Sequence, residues 1–355
     1  MKKSLRCLVT GAGAPGIRGT LYALRQNSDN VDVFILGVDI KEDVVGRYLT
    51  DAFSVIPAPE DPAYTDALIA LVNKFEIDIV IPQTTREIEI LSLKRALLRS
   101  KNIPVLVSKS SAIKTANNKW ALLKEFDKLE LPIPKYHYAR SISDVEKFAR
   151  KLGYPDKPVV VKPPVSNGMR GLRILKEKPC DADRYFSEKP SGVEISLDHF
   201  KQIFEGADTE PELLVSEYLP GPEYSVDVFR GKNGKVAIPR YRKVIRSGIS
   251  FVNEIEYRED MINYSLQAAD AIDLEYVFGF QFKLDEQGTP KILESNPRIQ
   301  GTMVASNFAG ANIIWTAVKD LLGWDYQISQ EQLKKASFYR FWGGLGIKDG
   351  GIYEI

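Results

Sequence analysis

Hydrophobic and polar positions along this chain follow two periods. From residue 5 to 112 they predict strands at Leu5 to Thr10, Asp32 to Asp39, Ile77 to Pro82 and Pro104 to Ser108, and helices at Thr20 to Gln26, Tyr64 to Lys74 and Arg86 to Arg99. Strands and helices in alternation predict a parallel sheet covered by helices. Lys114 to Leu129 then reads as one helix, stopped by Pro132 and Pro134, so a domain boundary is expected near residue 112. Ser141 to Leu152 is a second amphipathic helix, with Ser143 and Glu146 spaced as a capping box and Gly153-Tyr154-Pro155 ending it.

The second half is richer in strands. Pro158 to Pro164 is β-branched and ends in Lys162 and two prolines, and the loop Val165-Ser166-Asn167-Gly168-Met169-Arg170-Gly171 leads into strand-like Leu172 to Leu175. A strand-terminal lysine beside a loop rich in N–H donors suits a polyphosphate, and equally a hairpin with an exposed lysine. Residues 176 to 212 are polar and irregular apart from a helix at Leu197 to Phe204. Leu213 to Tyr218 is a strand interrupted by Leu219-Pro220-Gly221-Pro222, after which Glu223 to Phe229 alternates, with Tyr224, Val226 and Val228 on one face and Glu223, Ser225 and Asp227 on the other. Lys235 to Ile245 is a basic strand whose even-numbered face carries Arg240, Arg242 and Arg246. That face suits an exposed charged edge or the reception of phosphate or carboxylate. Helices are expected at Asp260 to Asp270 and Ala311 to Leu322, and the tail from Leu333 yields little.

Between those helices, Val277 to Leu284 and Lys291 to Ser295 flank the turn Asp285-Glu286-Gln287-Gly288 and predict a β-hairpin. Strand alternation puts Ile292, Glu294 and Asn296 on one face, and cross-strand pairing can add Gln281. One carboxylate and two amide oxygens near Arg298 suit a hard cation such as Mg²⁺ better than zinc or iron. The same residues would also serve an ordinary hairpin with a polar outer face.

Composition removes several classes. With 355 residues, 44% hydrophobic and 27% charged, the chain can bury a sizeable core and hold two or three domains. Lys plus Arg number 48 against 47 Asp plus Glu, which predicts no general affinity for nucleic acid or anionic membrane. No apolar run approaches the roughly 18 residues of a spanning helix, and Met1-Lys2-Lys3 runs directly into a strand, so a cytoplasmic chain is expected. Cys7 and Cys180 are far apart and form no metal pair, and His137 and His199 lack partners at ligand spacing. After the first strand, Gly11-Ala12-Gly13-Ala14-Pro15-Gly16 matches GxGxxG, and Asp39 ends the second strand. This fits a dinucleotide site, but also tight packing of strand against helix.

The ordered series Asn118-Lys119, Val160-Val161-Lys162, a glycine loop, Ser216-Glu217-Tyr218-Leu219-Pro220-Gly221, Glu223, Gln281, Glu294, Asn296 and Arg298 resembles the ATP-grasp superfamily. It is most similar to one synthetase half of the carbamoyl-phosphate synthase large subunit. The resemblance implies an α/β and α+β chain: a Rossmann-like N-terminal domain (1–112) serving as scaffold, then an ATP-grasp domain with a small lid subdomain (113–215) and a larger C-terminal α+β subdomain (216–355).

It also implies roles. Lys119 and Lys162 would face phosphate, Ser166, Gly168 and Gly171 would belong to the loop over the triphosphate, Glu217, Tyr218 and Leu219 would meet adenine, and Glu223 would meet ribose. Gln281, Glu294 and Asn296 would hold Mg²⁺ or Mn²⁺, and Arg298, with Lys162 and Arg246, would serve phosphoryl transfer. The implied cofactors are ATP and magnesium, and the implied substrates are a small carboxylate and an amine, with a homo-oligomer compatible. Gly301 and Gln300 follow Arg298 where that synthase has a second arginine. A stand-alone carboxylate–amine ligase forming an acyl phosphate and ADP is therefore expected ahead of carbamoyl phosphate synthesis, with an NAD(P)-binding oxidoreductase as the reading from a different class.

Overall fold

Leu5, Cys7 and Val9 point to one side of the first strand and Leu8 to the other, and both sides are buried. Two buried faces are the signature of a parallel strand, and β1 (Ser4–Val9) does pair in parallel with β2 (Asp32–Asp39) and β4 (Ile79–Ile81). The sheet runs β3-β2-β1-β4, with β3 (Ala52–Val55) an edge strand that alternation did not predict, since its residues are only partly buried. Pro104 to Ser108 adds no strand: Val105 makes a single parallel bridge to Val80. The computed structural model describes residues 4–166, 168–188, 192–341, 343–348 and 351–354.

The chain divides into two compact units: Met1–Ala116 with Pro222–Gln281 and Ser295–Ile355, and Asn117–Gly221 with Phe282–Glu294. In the first unit the β1 core side continues into Leu21 and Leu24 of the helix Ile17–Arg25 and into Trp315 of the helix Ile313–Leu322. Burying one such aliphatic side chain contributes about 1.5–3 kcal/mol. The opposite side packs Leu8 and Leu36 against Tyr64, Leu68, Ile88 and Leu91.

The second unit is built on a five-stranded sheet of order β5-β9-β6-β7-β8, namely β5 (Tyr136–Ala139), β6 (Val159–Lys162), β7 (Arg173–Leu175), β8 (Glu194–Ile195) and β9 (Leu213–Glu217). Val159, Val161 and Val215 pack there against Val145 and Phe200. Residues 176–212, expected to be irregular, also contain a helix at Ala182–Ser187. The single helix expected over Lys114 to Leu129 is two, Ser110–Asn117 and Lys119–Lys128, because Asn118 leaves helical geometry and caps the second. Arg86 to Arg99 is likewise split at Lys94. Ser141, not Ser143, caps the helix Ile142–Lys151: Ser141 is extended and accepts from the Asp144 N–H, whereas Ser143 already lies inside the helix.

A six-stranded sheet of order β14-β13-β10-β11-β12-β15 comprises β10 (Glu223–Gly231), β11 (Gly234–Arg246), β12 (Ile249–Ile255), β13 (Tyr276–Leu284), β14 (Pro290–Asn296) and β15 (Ser337–Tyr339). The expected hairpin is β13–β14, and Gly288 takes the φ of +79° that its turn requires. β11 is no exposed edge: it lies between β10 and β12, and β10 is buried on both faces. Strands β16 (Leu345–Lys348) and β17 (Gly351–Glu354) form a separate antiparallel pair. Among the described residues no helix is long and apolar enough to cross a membrane.

Candidate functional site

In the second unit, Asn118 accepts the Ala121 N–H at 3.0 Å, which starts the helix at Lys119. The Lys119 main-chain N–H donates to Pro164 O at 2.8 Å, so the helix start is tied to the segment that follows β6. Lys119 Nζ then donates to Ser166 O at 2.9 Å and lies 3.4 Å from Glu294 Oε2. The lysine is only 6% exposed. A cation at the first position of a helix meets the positive end of the dipole, and burying it adds a desolvation cost, so its retention there needs a reason beyond folding. Lys162 ends β6, also buried.

The loop after β6 is shaped by left-handed backbone. Gly168, Met169 and Gly171 have φ of 61°, 62° and 74°, and a Cβ at Gly171 would come within 2.7 Å of Pro163 Cγ. Asn167 lies outside the described residues. Successive N–H groups in such conformations make anion-receiving concavities. Farther along, Glu217 donates its N–H to Lys135 O at 3.0 Å and accepts the Lys135 N–H on Oε1 at 2.9 Å. The Glu217 N–H and carboxylate are thus both committed to Lys135, just before β5, whereas Tyr218 has the Lys283 ammonium 5.1 Å from its ring centroid and Leu219 is buried. The Gly221 N–H donates to Leu284 O at 3.0 Å, and Leu284 leaves no room for a Cβ on that glycine.

In the first unit, Glu223 opens β10 and is ion-paired with Arg242 of β11. Register shifts at Lys243 on β11 and Phe251 on β12 offset one another, and Arg246 stacks over the Phe251 ring at 4.9 Å. The three arginines expected on one face thus have separate partners, because Arg240 is held at the buried Asp227. Gln281 lies on β13, and Asn296 ends β14. Asn296 O accepts the Arg298 N–H at 2.7 Å, and Arg298 Nε donates to Thr85 Oγ1 at 3.3 Å. Thr85 begins a helix capped by the reciprocal box of Thr84 and Glu87. Burial pushes the Glu87 carboxyl up, and hydrogen bonds from Thr10 and Thr84 offset part of that. Glu294, which belongs to the second unit and is the one carboxylate among the three expected metal donors, keeps 27% of its side chain exposed. A single carboxylate with two amide oxygens remains a reasonable set for Mg²⁺, while no cluster of three His, Cys, Asp or Glu exists among the described residues.

A buried polar cluster was not anticipated from sequence. Arg240 forks onto Asp227 at 3.0 and 2.9 Å and donates to Asn253 Oδ1 (2.8 Å), Thr302 Oγ1 (2.6 Å) and Gln300 Oε1 (3.2 Å). Those bonds orient both amides, leaving Asn253 Nδ2 and Gln300 Nε2 as buried donors with no partner among the described residues. Arg340 is held by Gly301 O and Pro15 O, and burial, then Arg240, lowers its pKa. Such unsatisfied donors are costly and invite an acceptor such as a carboxylate oxygen. Gln300 was visible in the sequence only as a departure from a family pattern.

Other parts of the chain closely approach the glycines of the first turn, while Gly13 and Pro15 stay exposed. Asp39 Oδ2 accepts the Gly13 N–H at 2.8 Å, and a Cβ on Gly16 would fall 2.7 Å from Gly301 Cα. Its glycines therefore meet a packing requirement.

A family model described as "ATP-grasp in the biosynthetic pathway with Ter operon" matches residues 209–339. The chain is 23% identical over 274 residues to the carbamoyl phosphate synthase large chain of Clostridium perfringens (strain 13 / Type A), a match covering 74% of this chain and 24% of the relative. It thus spans about a quarter of the length of that curated relative. Among solved structures it is similar to the N5-carboxyaminoimidazole synthetase from Staphylococcus aureus complexed with ADP, with a TM-score of 0.71 at 19% identity, covering 96% of this chain and 83% of the other. It is also similar to the biotin carboxylase domain dimer of Hydrogenobacter thermophilus 2-oxoglutarate carboxylase in complex with MgADP, ADP and bicarbonate, with a TM-score of 0.70 at 17% identity, covering 93% and 72%. The chain has the ATP-grasp fold and carries an ATP-grasp domain.

Proposed function

We propose that the chain is an ATP-dependent, ADP-forming ligase that activates a carboxylate as an acyl phosphate for attack by an amine. The observation that carries this reading is the meeting of Lys119 with the Ser166 carbonyl and the Glu294 carboxylate. In it, Lys119, Lys162, Ser166, Gly168 and Gly171 receive the phosphates of ATP, Tyr218 and Leu219 meet adenine beside Glu217, and Glu223 meets ribose. Gln281, Glu294 and Asn296 hold Mg²⁺ or Mn²⁺, which when bound screens the charge of the γ-phosphoryl group. A carboxylate oxygen of the substrate attacks the γ-phosphorus and ADP leaves; the amine then attacks the acyl carbon and inorganic phosphate leaves. Arg298, with Arg246, offsets charge on the transferred group. The domain roles follow the same reading, with 1–112 as scaffold, 113–215 as lid and 216–355 as the metal-bearing subdomain.

The structural neighbours complexed with ADP and with MgADP support the nucleotide assignment. A second reading, phosphorylation of bicarbonate or carbamate, is favoured by the synthase relatives and weakened by Gly301 at the position of that family's second arginine. The hydrogen bond from Gly13 to Asp39 and the close approach of Gly301 to Gly16 give these glycines a structural role and weigh against NAD(P) binding. The test is a thermal-shift screen of carboxylic acids and amines with Mg·ATP, followed by a hit labelled with ¹⁸O in its carboxylate. One label in inorganic phosphate with ADP is expected; label appearing with AMP would point to adenylation instead.

A further inference from the structure

Strand β5 is an edge of its sheet, paired only with β9 among the described residues. Lys135 O accepts from Glu217 N, and the register runs Tyr136↔Ser216, His137↔Val215, Tyr138↔Leu214. In an antiparallel pair, hydrogen-bonded and non-bonded residues alternate, so the odd-numbered residues spend their main-chain groups on β9. The N–H and C=O of Tyr136 and Tyr138 therefore face outward. They open into a groove of about 940 Å³ that none of Lys119, Lys162, Ser166 or Glu294 lines.

The groove walls are specific. On one face Trp120 packs on Tyr138 at 4.8 Å and edge-on to Tyr136 at 5.4 Å, an apolar platform beside the free edge. Lys135, Arg140 and Lys151 also line it, and none of them is ion-paired among the described residues. Two carboxylates, Asp127 and Asp144, line the same groove against these three cations, and Asp144 accepts the Arg140 N–H at 3.1 Å. From Lys135 to Arg140 an extended strand covers roughly 17 Å, the reach of about five added residues.

We propose that β5 is a docking edge for an extended acidic polypeptide segment, which adds a strand to Tyr136 and Tyr138, lays alternate apolar side chains on Trp120 and places carboxylates on Lys135, Arg140 and Lys151. Unpaired edge groups together with alternating side-chain contacts are the recognition mode of strand addition. Single-stranded nucleic acid would use the cations and aromatic rings but has no use for the main-chain edge. A second copy of this edge would set the same three cations against each other. This site is independent of the proposed ligase activity.

The test uses the full chain and a fluorescein-labelled, eight-residue alternating Glu-Val peptide, read by anisotropy. Saturable binding is expected, weakened at least tenfold in the double variant Arg140→Glu, Lys151→Glu. Two further peptides, N-methylated on the valines or on the glutamates, test the edge with the protein unchanged. Only one series of N–H groups can face the strand, so one peptide should lose binding and the other keep it. No saturable binding would mean that the cations merely guard the edge. Equal binding of both methylated peptides, tighter binding of a twelve-nucleotide oligothymidylate, or a dimer in sedimentation that the peptide does not dissociate would each overturn the proposal.

Discussion

Lys119 Nζ lies 3.4 Å from Glu294 Oε2 and 2.9 Å from Ser166 O, so a helix start, a glycine-containing loop and a hairpin strand share one buried ammonium. In the proposed site Lys119 would face phosphate and Glu294 would help hold the metal, so the two groups would act at one place. Lys119→Met should weaken Mg·ATP binding roughly tenfold or more, and Glu294→Gln should lower ADP release roughly 10²-fold or more. Because the two groups touch, the double variant should cost less than the two single effects added together. Additive losses, measured as ADP release in the presence of a substrate hit, would show that the pair does not act as a unit.

The loop after β6 offers a second check. Arg170 is exposed, next to Met169 and Gly171, both with positive φ. Trypsin should cut after Arg170 in the free protein, and Mg·ATP should slow that cut several-fold. Equal rates with and without nucleotide, read by mass spectrometry, would remove residues 166–171 from the phosphate site.

Glu87 sets a pH dependence. Its carboxyl is pushed up by burial, with Thr10 and Thr84 bonds opposing. A carboxyl whose folded pKa exceeds the unfolded value binds the extra proton in the folded state. Its contribution is fully present below the unfolded value of about 4.3 and is lost as pH rises through the folded value. Wild-type stability relative to Glu87→Gln should therefore fall as pH rises from about 4.3 and then level off. Guanidinium melts across that range give the difference directly; a gap that grows with pH would reverse the assignment.

The Asp227–Arg240 pair is buried on both sides, with side chains 0% and 1% exposed. Removing one partner leaves a charge with no water to receive it, so Asp227→Asn should destabilise the fold by about 3–5 kcal/mol. Urea unfolding that shows a loss below about 1 kcal/mol would mean the site is hydrated in solution.

Period and turn chemistry made the β13–β14 hairpin and the parallel N-terminal sheet legible, because Asp285 to Gly288 reads as a turn and strands alternate with helices from residue 5 onward. Other features depend on partners that alternation cannot see. Ser143 with Glu146 has the spacing of a capping box in sequence, and only the extended backbone at Ser141 shows that the helix is capped there instead. Arg240 reads as a surface cation until Asp227 on β10 is beside it. Likewise Glu294 reads as a metal ligand from its strand face, but its approach to Lys119 joins residues far apart in sequence.

The most direct measurement is calorimetric titration of ATP with and without Mg²⁺, and of NADH, into the purified chain. Saturable Mg·ATP binding that weakens at least tenfold in Lys119→Met, with no heat from NADH, is the expected result. Micromolar binding of NADH with no response to ATP would contradict the assignment of Lys119, Ser166 and Glu294 to a nucleotide site.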